Sequence, residues 1–274
     1  MSETSTDISR KQFVAVSGGL ICGMMGGSII PIQIGAYMVA LGLDEAQAGL
    51  LGTMELIATA VVMLIVSFFV SRVASLKRLA ISGILVLFAA QLLTGMFKVY
   101  SVVWALRLLA GGGAGIVFSA VLASTPSFKE PEQVVGRGFG TACGFFAILL
   151  YGLPLLRDWA GYQGLFTTLA IIELLLIGTL SWLPTPPKTA DTQEGGAQRS
   201  KLSYPHLAMF LGGIIMLALS QGALWSFSER IGVRLDLSGN QIGITLGLSC
   251  VAMIFGSMTA GILGTRIGYF SPMV

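Results

Sequence analysis

Long uncharged apolar runs alternate with short polar connections along the whole chain. Eight runs stand out, at approximately residues 13–41, 46–70, 79–97, 102–126, 138–156, 163–183, 207–227 and 241–265. A helix needs about 20 predominantly apolar residues to cross a bilayer, because its backbone N–H and C=O groups find no water there and must pair within the segment. The pattern therefore predicts eight membrane-spanning helices. The first run, Phe13 to Leu41, is 29 residues without a charge. That is too long for the core of a cleaved leader, and no small-residue cleavage site follows it, so it is expected to remain as a span.

The connections are short except at residues 184–205, PTPPKTADTQEGGAQRSKLSYP. A segment so rich in Pro, Gly, Thr and charge cannot bury enough apolar area to fold alone and reads as a linker. It divides the chain into a six-span unit (1–183), the linker (184–205) and a two-span unit (206–274). Basic residues supply the orientation, since Lys and Arg concentrate in cytoplasmic loops. With the amino terminus inside, eleven fall on the cytoplasmic side, among them Arg10, Lys11, Arg72, Lys77, Arg78 and Arg266. Four fall outside (Lys98, Arg157, Arg230 and Arg234), and Arg107 is left within a span. Both termini and the linker are expected in the cytoplasm, in a plasma membrane such as the bacterial inner membrane.

Composition agrees with a lipid solvent, at 54% hydrophobic, 11% charged and a mean hydropathy of +0.84. The net charge of +3 is spread over loops and leaves no basic groove for nucleic acid. Cys22, Cys143 and Cys250 sit inside apolar runs without metal-ligand spacing and read as small core residues.

An internal repeat crosses the linker. At an offset of 194 residues Leu41, Leu43, Gln47, Gly49 and Arg72 meet Leu235, Leu237, Gln241, Gly243 and Arg266. Residues 261–268, GILGTRIG, resemble the G-x-L-x-D-R-x-G signature that the major facilitator superfamily carries in the cytoplasmic loop between the second and third helices of each bundle. Residues 67–78, SFFVSRVASLKR, are a weaker copy that keeps Arg72, Lys77 and Arg78. Arg107 through Ala114, RLLAGGGA, resembles the R-x-x-x-G-x-G-x motif of the family's fourth helix. The signature's acidic position is Ser71 in one copy and Thr265 in the other.

The resemblance implies an all-α polytopic fold with a complete amino-terminal six-helix bundle and the first two helices of a second bundle, spans one to eight of twelve. It implies secondary transport of a small solute by two bundles rocking about a midplane site, with Arg72, Lys77, Arg78, Gly261, Arg266 and Gly268 in the gating loops. It also implies that the first, fourth and seventh helices line the central cavity while the second, fifth and eighth flank it. On this reading the carboxyl-terminal spans lie beyond Val274, and the 274-residue chain is expected not to transport as a monomer. The alternative is a non-transporting membrane protein or assembly partner.

Ionisable groups at membrane depth are costly and mark candidate sites. Glu55 lies about nine residues into the second run, roughly 14 Å from its outer end at 1.5 Å per residue. Arg107 is in the fourth run and Glu173 in the sixth. Glu55 could exchange protons and Arg107 could hold an anionic group, or the two could form a structural ion pair. Gln33, two residues after the helix-bending Pro31, and Gln221 and Trp225 in the seventh run are further cavity candidates. Glu229 and Arg230 read as interfacial charges at the outer end of that run.

The Gly111-Gly112-Gly113 cluster lacks the Lys-Ser/Thr of a nucleotide loop and reads as a helix-packing stripe. No H-E-x-x-H or G-x-S-x-G motif is present, so no enzyme activity, cofactor or metal is expected. The expected partners are a small-molecule substrate, protons and the lipid bilayer.

Overall fold

Eight helices account for nearly all of the residues, 9–184 and 204–267, that the computed structural model describes, and no strand occurs among them. They are α1 (Arg10–Leu41), α2 (Glu45–Ser67), α3 (Leu76–Met96), α4 (Tyr100–Ser124), α5 (Pro131–Leu180), α6 (Tyr204–Ser226), α7 (Ser228–Arg234) and α8 (Gly239–Ile267). Among the described residues six of them are long and apolar enough to cross a membrane. The linker expected at 184–205 lies almost wholly outside the described residues.

The fifth and sixth predicted runs form one element, α5, of 50 residues. At 1.5 Å per residue it would be about 75 Å long, more than twice the hydrocarbon thickness. It breaks at Gly161, where φ 66° and ψ −166° is a conformation that only glycine adopts readily. The chain doubles back there. A Cβ on Gly138, near the start of the element, would sit 2.7 Å from Leu20 Cδ1, and one on Gly18 would sit 2.5 Å from Thr179 Oγ1 near its end. Both ends of α5 thus lie beside the same turn of α1, and its two limbs are antiparallel.

Close contacts fix the remaining directions. Gly19 and Gly23 of α1 meet Val121 and Phe118 of α4, so those two run oppositely. Gly111 and Gly115 of α4 meet the backbone of Glu55 and Thr59 in α2, so those two run the same way. Along α8, Gly243 and Gly247 rest on Tyr151 and Ala147 of α5's first limb, again antiparallel. Successive spans therefore alternate in direction.

The glycine stripe of α4 is a two-sided packing surface. A Cβ on Gly111 would lie 2.1 Å from the Glu55 carbonyl oxygen, and one on Gly113 would lie 2.7 Å from that of Gly83 in α3. Hydrogen side chains let α2 and α3 press on α4 at backbone distance, the usual device where lipid supplies no hydrophobic drive.

The repeat at offset 194 turns out to be a repeated turn. Gly42 (φ 68°) and Asp236 (φ 56°) are both left-handed, and each is followed two residues on by a helix N-cap with the same pair of capping bonds. Asp44 accepts from Gln47 N at 2.7 Å while Gln47 Oε1 accepts from Asp44 N at 3.3 Å. Ser238 and Gln241 do the same at 3.4 and 2.9 Å. Gln47 and Gln241 are matched because a capping box needs a Gln or Glu three residues into the helix.

Candidate functional site

Among the described residues, two buried polar assemblies and a cavity between helices on either side of the linker stand out. The first assembly lies among α1 to α4 and the second limb of α5. Gly111 brings α2 onto α4, and Arg107 stands one turn before it on the same face. Glu55 reaches it there, with Arg107 Nη1 donating to Glu55 Oε2 at 3.3 Å. Arg107 Nη2 donates to Thr94 Oγ1 at 2.5 Å and to the Ala90 carbonyl at 3.4 Å. The guanidinium also stacks over Phe166, 5.3 Å from the ring centre, and Phe166 packs with Tyr37 and Tyr162. Arg107 is fully buried and Glu55 is 2% exposed. Glu173 is buried nearby and accepts from Gln91 Nε2 at 3.3 Å.

Glu55 keeps one oxygen free. Oε1 has no hydrogen-bond partner among the described residues and lies 2.3 Å from where a Cβ on Gly26 would be. Gly26 itself lines the cavity, so the carboxylate stands one glycine behind the cavity wall.

The cavity has a volume of about 720 Å³ and is bounded by α1, α2, α4 and the first limb of α5 on one side and by α6 and α8 on the other. Gln221 and Trp225 line it; Glu55, Arg107 and Gln33 do not. Gln33 is fully buried, and both of its amide atoms lack partners among the described residues. Across the cavity's edge the Trp225 indole donates from Nε1 to the Gly27 carbonyl at 3.2 Å. That carbonyl is available because Pro31, four residues on, has no N–H to bond it.

The second polar assembly lies toward the carboxyl end of α1, past the residues that line the cavity. Arg157 Nη1 donates to Glu229 Oε1 at 2.7 Å, joining α5 to α7. Glu229 is fully buried, its other oxygen pressed on Gly35 of α1, where a Cβ would come within 2.3 Å. Farther out Arg234 pairs with Glu45, and Phe227 packs on Gly49 of α2. These contacts tie the part of the chain after the linker to α1, α2 and α5.

The expected gating residues are split. Arg72 and Arg78 are exposed and Lys77 half-buried at the connection between α2 and α3, with Arg72 in a single 3-10 turn. Gly261 and Arg266 fall within α8, but their side-chain surroundings, like the whole of Gly268, lie outside the described residues.

Sequence reading missed the burial of Glu229 and its pairing with Arg157, because the partners are 72 residues apart and each looks like an ordinary interfacial charge. It also missed Thr59 and Ser249 on the cavity wall. In a helix a small hydroxyl residue gives no signal of which way it faces.

Comparison with known proteins gives one finding. The profile described as Major Facilitator Superfamily matches residues 16–274, nearly the whole chain. No curated protein matches it.

Proposed function

The chain belongs to the major facilitator superfamily, a family of multi-pass membrane transporters, and from that footing we propose that, as part of a complete two-bundle transporter, it moves a small solute by proton-coupled alternating access. The observation that carries this reading is the 720 Å³ cavity shared between α1, α2, α4 and α5 and the pair α6 and α8. A site walled by two groups of helices, one on either side of a linker, can change its opening by a rigid rocking motion of one group against the other.

In this proposal residues 1–183 form one rocking unit, 206–274 begin the second, and 184–205 connect them on the cytoplasmic face of the plasma membrane. The termini share that face. Breaking Arg157–Glu229 and Arg234–Glu45 opens the cavity outward. The 67–78 and 261–268 loops, with Arg72, Lys77, Arg78, Gly261, Arg266 and Gly268, govern the inward side. Glu55 is the proton-coupling group, because its free oxygen abuts Gly26 of the cavity wall, and Arg107 holds it in place. Gln221 and Trp225 contact the solute, and Gln33 supports α1 behind them.

The test uses everted membrane vesicles carrying the native protein and energised with a pH gradient that a fluorescent weak base reports. Sugars, amino acids, organic acids and aromatic amides are added in turn. At least one class is expected to discharge the gradient saturably, with the response lost in Glu55→Gln. No solute-dependent proton movement from any class would contradict proton-coupled transport.

A further inference from the structure

Among the described residues the cavity wall carries no charged side chain. Its polar groups are Ser28, Thr59, Gln221 and Ser249, and the rest is apolar or aromatic, including Met24, Phe146 and the face of Trp225. The nearest buried ions, Glu55 and Arg107, face each other, and Arg107 donates further to Thr94 and Ala90. With Glu55 ionised the two charges offset each other, and neither side chain lines the cavity. An ionic solute entering here would leave water without meeting a counter-charge, which is strongly unfavourable.

The hydrogen-bonding groups have a polarity of their own. Thr59 Oγ1 donates to the Glu55 carbonyl at 2.9 Å, and Ser249 Oγ donates to the Thr245 carbonyl at 2.9 Å. Both hydroxyl protons are committed within their own helices, so what these oxygens offer the cavity is lone pairs. The Trp225 N–H, the other fixed donor at the wall, is committed to Gly27. The wall therefore presents two fixed acceptors, Thr59 and Ser249, while the Ser28 hydroxyl and the Gln221 amide can each donate or accept. Trp225 and Phe146 add flat apolar faces, and the Met24 thioether suits an aromatic ring edge.

From these features we infer that the cavity takes an uncharged aromatic solute bearing one or two hydrogen-bond donors, and that it discriminates against anions and cations of the same skeleton. This rests on the reading of the cavity as the transport site. Its volume accommodates a solute of drug-like size.

Three fluorescent probes sharing one ring system separate the elements of the inference: dansylamide, neutral with an N–H₂ donor; its N,N-dimethyl derivative, neutral without a donor; and dansylate, the anion. Each is titrated against the native protein in nanodiscs, with empty nanodiscs subtracted so that only the saturable part counts. Dansylamide is expected to bind at least ten-fold more tightly than dansylate and several-fold more tightly than the dimethyl derivative.

Gly222→Trp is expected to weaken dansylamide ten-fold or more by filling the cavity. A Cβ at Gly222 meets nothing within 4 Å, so the backbone accepts the change. Gln221→Ala serves as a second, milder variant with an expected loss of about three-fold. Dansylate bound as tightly as dansylamide, no saturable binding of either, or dansylamide binding untouched by both variants overturns the inference. The vesicle assay keeps it separate from the transport reading. Proton movement driven by some other solute, with no dansylamide binding, sinks the solute class alone. Selective dansylamide binding without proton movement for any solute supports the class and contradicts transport.

Discussion

The Arg107–Glu55 pair allows the sharpest energetic test. At 3.3 Å and an effective dielectric constant of about 20, two unit charges attract by about 5 kcal/mol. Desolvation takes much of that back, so the pair as a whole contributes little, yet removing one partner leaves the other buried and unpaired at a cost of about 3–5 kcal/mol. Glu55→Leu and Arg107→Met are therefore expected to destabilise the protein by about 3 kcal/mol each or more, and the double variant by no more than about 2 kcal/mol. The coupling between the sites should then exceed about 3 kcal/mol, well above the few tenths that independent positions show. Reversible unfolding by dodecyl sulfate in bicelles, followed by tryptophan fluorescence, measures all four corners of the cycle. Arg107→Lys should not rescue the single loss, since an ammonium cannot reach Glu55, Thr94 and the Ala90 carbonyl in the planar arrangement that a guanidinium holds. Additive single losses, with coupling under about 0.5 kcal/mol, would refute the pairing.

Other predictions draw on single contacts. Gly161→Ala should destabilise by about 1–3 kcal/mol in the same unfolding assay, because its φ and ψ lie where only glycine is comfortable, and no loss would place the break elsewhere. Gly111→Val should push α2 off α4 and lower the melting temperature sharply, whereas Gly112→Val, with only a 3.8 Å contact, should be tolerated much better; equal effects would contradict the stripe. Trp225→Phe keeps an aromatic ring but removes the bond to Gly27, and the part of the loss due to that bond, about 1 kcal/mol, should be erased by Pro31→Ala, which lets the helix bond its own carbonyl. An undiminished loss in the Pro31→Ala background would refute that link.

Much of the architecture was legible because the bilayer imposes a length rule on apolar runs. The eight runs correspond to α1 to α4, the two limbs of α5, α6 and α8, with end shifts of several residues such as a fifth helix that starts at Pro131 rather than near 138. The break between the fifth and sixth runs was expected at residues 157–162, and Gly161 lies within it; the sequence did not single out that glycine, since nothing in the stretch Asp158 to Gly164 distinguishes a left-handed glycine from a helical one. The repeat was visible, but its cause, a shared left-handed residue and capping box, needed coordinates because Gly42 and Asp236 are different residues doing the same thing.

At the site, long-range partners were the limit. Sequence could say that Pro31 frees a carbonyl, but not that an indole 198 residues from Gly27 would bond it. It singled out Glu55 and Arg107 on membrane depth, on the helix arrangement that the family resemblance implies and, for Arg107, on the motif it opens. Whether they face a cavity or each other depends on helix rotation, which the glycines at 26 and 111 set through contacts that no periodicity reveals.

Alternating access itself is best tested by a single cysteine at Gly222, in a chain whose Cys22, Cys143 and Cys250 are replaced by serine. Gly222 lines the cavity and has open space where the side chain would go. A membrane-impermeant maleimide is applied to everted vesicles, which expose the cytoplasmic face, and to intact cells, which expose the other. With the Arg157–Glu229 pair intact, labelling is expected from the cytoplasmic face and to be slow from outside. With Arg157→Ala the outside rate should rise at least ten-fold. Equal rates from the two faces in the parent chain, or an outside rate that Arg157→Ala leaves unchanged, would contradict the account.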